Sequence, residues 1–488
     1  MKKCMMMTVA ALTAFCAEAQ TWTVDVWRGE TTAVRVPNFA ENADGFASAP
    51  AGVNVKIGVL KTVKYAATPE GYEYKEKLDR VVWNANEPGR KIVEVTAARD
   101  AKPGVYSCGL LNVRVIDREL PPAKDWAYFL DLWQHPWAVS RIFGVKPFSD
   151  AHYTKMRPVW ETLATAGQKT LTVTLTDQPW NHQCYDAYHE MVGRVKKADG
   201  TWAFDYSLFD EYVAFGRSCG LGPDIACYTM CPWGYMVTYK NEKGETKSLK
   251  AVPGTPEFAD YWGDFLVDFK KHLEAKGWFK DTYIAMDERS PEDVSNICQF
   301  VQAKAPGMKV AMAGNRKPSD FKGIVLDNYS QVLPHASPDF LAEVPARRAK
   351  GHKTTFYVCC WPPYPNTMID SAAAENFWIG VYPAISGLDG LLRWAWNSWP
   401  QDPCRDASYG NWKAGDTFLV YPDGSPSLRF LELRRGIVAA EKIRLLRAAG
   451  LYTAELDALA KKFDLKAAVE GKAPYDALRK DVLAIVNR

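Results

Sequence analysis

From Trp126 onward, short apolar runs alternate with amphipathic stretches, the pattern of a parallel sheet covered by crossover helices. Eight runs read as strands: 127–132, 169–175, 223–229, 282–286, 309–313, 324–328, 354–359 and 390–396. Between them lie helical stretches such as 255–276, where Phe258, Tyr261, Trp262, Phe265, Phe269 and His272 recur at helical spacing. Eight strand-helix units predict a closed (β/α)8 TIM-type barrel over residues 125–424.

The segment before it has a different grammar. Alternating β-type runs such as Trp22-Thr-Val-Asp-Val-Trp27 and Lys91-Ile-Val-Glu-Val-Thr96, separated by turn-rich gaps, predict an antiparallel β-sandwich over 20–120. Pro121-Pro122 marks the linker. After the eighth strand an irregular aromatic stretch runs to Tyr421, and Ser425-Pro-Ser opens a helical C-terminal segment, 425–488, expected to pack on the barrel. Its charged residues Arg429, Glu432, Arg435 and Arg444 read as a solvated face.

Lys2-Lys3, an apolar stretch from Met5 to Phe15 and Ala17-Glu18-Ala19 form a secretory leader, so residues 1–19 are set aside and export to the periplasm or beyond is expected. Cys16 offers a lipid-anchored alternative, against which the bulky Phe15 argues. No later apolar run reaches the ~18 residues that span a membrane. The nine cysteines after the leader lack a framework spacing; Cys227 and Cys231 have no matching Cys/His pair for zinc, and the vicinal Cys359-Cys360 are expected on opposite faces of a strand. With 60 basic and 57 acidic residues the chain lacks the bias of a nucleic-acid binder. No metal triad, phosphate loop or cofactor motif is visible.

The working face of a parallel barrel is the C-terminal end of its strands. Asp131-Leu-Trp133-Gln-His135 follows the first strand, Asp177-Gln-Pro-Trp180 the second, Asp287-Glu288-Arg289 the fourth, Asp327-Asn328-Tyr329 the sixth and Trp361-Pro-Pro-Tyr364 the seventh. The eighth ends in Arg393-Trp394-Ala-Trp396-Asn397. With 18 Trp and 23 Tyr, the chain has flat faces for sugar rings, though the same residues serve as core. Asp287 and Glu288 are the catalytic candidates: neighbouring strand residues point in different directions, so one carboxyl can act as acid while the other stabilises the reacting sugar. Alternatively Asp287 caps the following loop and Glu288 pairs with Arg289. The substrate-binding candidates are Trp133, His135, Asp177, Trp180, Asp327, Tyr329, Tyr357, Trp361, Trp394, Trp396 and Asn397, each of which could instead be core or a loop cap.

Tyr283-Ile-Ala-Met-Asp287-Glu288, Phe356-Tyr-Val-Cys-Cys-Trp-Pro-Pro-Tyr364, Leu391-Leu-Arg-Trp-Ala-Trp-Asn397 and the tail Gly415-Asp-Thr-Phe-Leu-Val-Tyr-Pro422, in this order after a sandwich, resemble glycoside hydrolase family 123. The resemblance spans roughly residues 126–446. It implies a retaining exo-β-N-acetylgalactosaminidase that removes terminal GalNAc from glycolipid or oligosaccharide glycans by substrate-assisted catalysis. Glu288 would then be the general acid/base and Asp287 the residue orienting the 2-acetamido group. A hydrolase of another β-2-acetamido sugar, or a surface protein that binds glycans without cleaving them, remains open at this point.

Overall fold

The computed structural model describes residues 21–36, 49–71, 73–410 and 412–488. The leader expected at 1–19 lies outside them. Seven strands build the N-terminal unit: β1 (Trp22–Arg28), β2 (Thr31–Arg35), β3 (Val53–Ala66), β4 (Tyr74–Val82), β5 (Lys91–Ala97), β6 (Gly104–Cys108) and β7 (Leu111–Glu119). They form two sheets, β1-β7-β6 and β2-β5-β3-β4. All pairings are antiparallel except β1 with β7, which is parallel. Inward valines of both sheets, including Val26, Val93, Val95 and Val113, make a separate core.

The barrel strands are β8 (Phe129–Leu132), β9 (Thr170–Thr174), β12 (Asp224–Tyr228), β15 (Thr282–Met286), β16 (Lys309–Gly314), β17 (Asn328–Val332), β18 (Lys353–Tyr357) and β19 (Gly390–Arg393). They pair in parallel in the order β8-β19-β18-β17-β16-β15-β12-β9. Near-continuous apolar strands such as β15 are buried throughout, as expected where helices cover one face and the barrel interior the other. The loops after β9 and β12 carry a second small sheet, formed by β10 (Gly193–Lys196), β11 (Trp202–Asp205), β13 (Met236–Asn241) and β14 (Thr246–Lys250).

The barrel closes between β8 and β9 through side chains. Leu130 and Gln168 form one isolated bridge. Beyond it, Leu132 donates its N–H to Gln168 Oε1 at 3.0 Å, and Thr172 donates its own to Gln134 Oε1 at 2.9 Å. Gln168 Nε2 in turn reaches Thr170 O at 2.7 Å. Two buried primary amides thus substitute for a missing stretch of ladder, which satisfies backbone groups that have no water nearby.

The helices are α1 (Pro136–Phe143), α2 (Asp150–Ala164), α3 (Ser207–Ser218), α4 (Pro256–Lys276), α5 (Pro291–Lys304), α6 (Pro338–Ala349), α7 (Ala373–Ser386), α8 (Leu428–Ala448), α9 (Thr453–Ala460), α10 (Leu465–Val469) and α11 (Tyr475–Val486). Among those after barrel strands, α4, α5 and α6 each begin with a capping Thr or Ser followed by Pro at the first helical position. None of the described helices is long and apolar enough to cross a membrane.

Expectations change for α8 and for the sixth strand, and the seventh and eighth strands end earlier than read, at Tyr357 and Arg393. Much of the solvated face assigned to α8 is instead interior: Arg429 and Glu432 are buried, as is their neighbour Arg434, and Arg435 is half-buried, while Arg444 alone of the four named charges is exposed as expected. Arg429 pairs with Asp79 of β4 at 3.0 Å and Arg434 with Glu94 of β5 at 2.7 Å, so the helix lies between sandwich and barrel. The sixth strand starts at Asn328, where the sequence reading ends it. The apolar run Ile324-Val-Leu326 drew the strand too early, because β17 buries a largely polar sequence, Asn-Tyr-Ser-Gln-Val.

Candidate active site

At the C-terminal end of the barrel strands a pocket of about 220 Å³ opens to solvent. It is below the roughly 300–1,000 Å³ of drug-sized sites, a scale suited to one sugar unit. Asp287 and Glu288, directly after β15, both line it. Trp133 and Trp180, from the loops after β8 and β9, stack at 4.9 Å and form one aromatic wall; Trp394 and Trp412, 5.4 Å apart and edge to face, form another.

The two carboxyls have different surroundings. Asp287 Oδ2 accepts the indole N–H of Trp233 at 3.0 Å. Burial pushes its carboxyl up from the ordinary aspartate range, with the Trp233 hydrogen bond opposing. Glu288 takes the Tyr357 hydroxyl on Oε1 and the Asn315 amide on Oε2 at 3.4 Å. Burial, then the Glu288 charge, raise the Tyr357 phenol, so it stays a donor. Arg289 does not pair with the Glu288 carboxylate: its guanidinium donates to the Cys231 and Glu288 carbonyls and covers the Trp233 ring at 4.2 Å. Ser290 caps α5, accepting from the Asp293 N–H, with Pro291 opening the helix as expected. Both carboxyls keep their place in the pocket wall.

Of the eleven substrate-binding candidates, Trp133, Trp180, Tyr357 and Trp394 line the pocket. The remaining seven stand elsewhere. His135 is buried, stacked on Tyr188 at 3.6 Å, and burial pushes its imidazole down to about 3. Asn397 grips the His135 backbone from both sides, accepting its N–H at 2.8 Å and donating to its carbonyl at 2.9 Å, and so ties the β8 and β19 ends together. Trp396 is core against Phe430. Tyr329 is buried, its hydroxyl bonded to the Arg316 backbone. Asp327 sits before β17, at the base of the barrel, where it accepts the Val310 N–H at 2.9 Å. Asp177 fastens the loop sheet through the Glu190 N–H and the Thr238 hydroxyl. Burial opposes its charge, but these bonds and His189 outweigh burial and hold the carboxyl below its usual range. Trp361 is exposed outside the pocket, edge-on to His335.

Sequence reasoning passed over Trp233, Trp412, Gln183, Asn315 and the vicinal cysteines. Trp233 follows the third strand and Asn315 the fifth, so the same strand-end rule extended to those two strands would have found both. Trp412 lies in an irregular stretch with no local signal. Beneath the pocket, Asp416 accepts from Arg393 at 2.9 Å and from the Trp394 indole at 3.1 Å, which fixes that ring. Among the described residues, no group of three or more His, Cys, Asp or Glu gathers to hold a metal.

A family model described as "Glycoside hydrolase 123, catalytic domain" matches residues 133–446. Among solved structures, a family 123 glycoside hydrolase from Clostridium perfringens, studied for glycolipid glycan hydrolysis, is similar with a TM-score of 0.80. At 22% identity over 96% of this chain and 94% of that one, this likeness speaks to the fold. A GH10 xylanase with a bacterial Ig-like domain, from termite gut, aligns over 86% of this chain and 100% of its own at 12% identity, with a TM-score of only 0.37. No match was found among curated proteins.

Proposed function

Because the chain belongs to glycoside hydrolase family 123, and is a glycosidase by that membership, we propose that its pocket removes a terminal β-linked N-acetylgalactosamine from glycans, with net retention and with the substrate's acetamide as nucleophile. The observation that carries this reading is the pair Asp287 and Glu288, adjacent in sequence, lining one pocket, and held by different partners. A two-carboxyl mechanism with a protein nucleophile places its groups on opposite sides of the anomeric carbon. Neighbouring residues at one strand end suit a different division: one moves a proton while the other steers the sugar's own 2-substituent.

In the first step Glu288, protonated, gives its proton to the glycosidic oxygen as the C1–O bond breaks. The acetamide oxygen attacks C1 from the opposite face, and Asp287 accepts the acetamide N–H and balances the charge of the oxazolinium ring. In the second step Glu288, now a carboxylate, takes a proton from water as that water attacks C1 and reopens the ring. The Tyr357 hydroxyl and Asn315 amide hold Glu288 between the two steps. The Trp133/Trp180 wall supplies an apolar face for the sugar ring.

A panel of aryl β-glycosides tests the proposal. Hydrolysis of the 2-acetamido galactoside, inhibition by a thiazoline analogue of that sugar, and no turnover of the matching 2-hydroxy glycoside are expected. Efficient cleavage of the 2-hydroxy compound would sink the mechanism; faster turnover of the gluco epimer would reassign the sugar. Glu288→Gln is expected to lower kcat/KM about 10²–10⁴-fold on a disaccharide. The loss should be smaller on a nitrophenyl glycoside, whose leaving group departs without a proton.

A further inference from the structure

Cys359 and Cys360 stand just past the end of β18 and both line the pocket that holds Glu288. The sequence reading put them on opposite faces of a strand. Because the strand ends at Tyr357, the backbone turns instead and brings the two sulfurs to 3.8 Å. Two thiolates on tetrahedral zinc, at about 2.3 Å from each, stand about 3.8 Å apart by simple trigonometry, which sets the scale for a soft centre held by both sulfurs. Cys360 is exposed and Cys359 half-buried, whereas the other described cysteines are buried except the half-buried Cys404.

We propose that Cys359 and Cys360 form a dithiol capture site in the pocket wall for a thiophilic centre that takes two sulfurs at once, a trivalent arsenical or a soft d¹⁰ cation such as Cd²⁺. Binding replaces two S–H bonds by two bonds from sulfur to the captured centre: with Cd²⁺ the two protons leave to solvent, and with an arsenic(III) oxide they leave together with the arsenic-bound oxygen as one water. No electron transfer is involved. Among the described residues no third His, Cys, Asp or Glu gathers with the two sulfurs as a metal-holding group, so the remaining positions on the captured centre are left to solvent or to groups in the pocket. An occupied site would narrow the space beside Glu288 and exclude a sugar.

Freshly reduced full-length protein, titrated with phenylarsine oxide, tests the assignment without reference to activity. One equivalent per chain should remove two thiols from reaction with a disulfide reagent, and Cd²⁺ should produce one thiolate-to-cadmium ultraviolet absorption per chain. Cys359→Ser and Cys360→Ser should each weaken arsenical binding by tenfold or more. Unchanged affinity in either variant, or loss of one thiol per arsenical in the wild type, would overturn it. The inhibition arm rests on the proposed function: capture should block glycoside turnover, a dithiol should restore it, and a monothiol at equal concentration should not. Full turnover by arsenical-saturated protein would remove the site from the pocket wall. If the chain cleaves no 2-acetamido glycoside, the thiol count and cadmium absorption still decide the assignment.

Discussion

Trp233 donates to Asp287 and is itself covered by Arg289, so its indole both places and electrostatically eases the carboxylate. In the proposed mechanism Asp287 must be ionised to hold the acetamide N–H, and burial already lifts its carboxyl. Trp233→Phe removes the opposing hydrogen bond, and the acid limb of the kcat/KM profile is expected to move to higher pH; an unmoved limb would show that Asp287 is not the titrating group. Asp131, buried below Trp133, offers a stability readout. Burial first, then the Asp224 charge, push its carboxyl up to about 7. Between the unfolded aspartate range near pH 4 and pH 7 the native state holds a proton that the unfolded chain has lost, so this group's contribution to stability falls as pH rises through that window. A displacement that large corresponds to ~4 kcal/mol at neutral pH, and Asp131→Asn should flatten the decline in urea-unfolding free energy between pH 4 and 7. His135 acts in the opposite sense: held neutral down to about 3, it favours unfolding as pH falls below the ordinary histidine range.

At the scale of elements, the seam between β8 and β9 depends on two glutamine side chains rather than a continuous ladder. Gln168→Ala leaves the Leu132 N–H buried without its partner, and an unsatisfied buried group costs ~1–3 kcal/mol. The expected result is a lower urea midpoint, with hydrogen exchange accelerated at Leu132 ahead of the other barrel strands. A second close joint is the crossing of α7 and α8. A Cβ on Gly436 would stand 2.2 Å from the Phe377 carbonyl, and one on Gly380 2.4 Å from that of Leu433. Both clashes are with backbone, so neither position can accept alanine without moving a helix. The sequence shows these glycines inside apolar stretches, but their purpose depends on which helices cross.

At the scale of the whole molecule, α8 joins the sandwich to the barrel through charge pairs that have little water around them. Arg429 meets Asp79 with both side chains almost wholly enclosed, and Lys442 reaches Glu30 at 2.6 Å. Arg429→Met would strand the Asp79 carboxylate, at ~3–5 kcal/mol. Loss of sandwich and barrel signals in one shifted urea transition is expected, with much of the loss recovered when Asp79→Leu is added. The strand-helix alternation determined the barrel, and the Met286-Asp287-Glu288 strand end determined where the carboxyls emerge, because local periodicity and strand direction are properties of the chain itself. Trp133, Trp180 and Trp394 were legible for the same reason: each closely follows a barrel strand. Only the tertiary structure separated Trp394 from Trp396, since both share a strand-like alternation but one meets the pocket and the other meets Phe430 of α8. The same holds for Asp177, His135 and Asn397, whose polar groups found backbone partners, and for the charges of α8, which resemble a solvated surface until Asp79, Glu94 and Glu30 arrive from more than three hundred residues away. A side chain's partner is set by through-space distance, and sequence spacing carries that information only within one element.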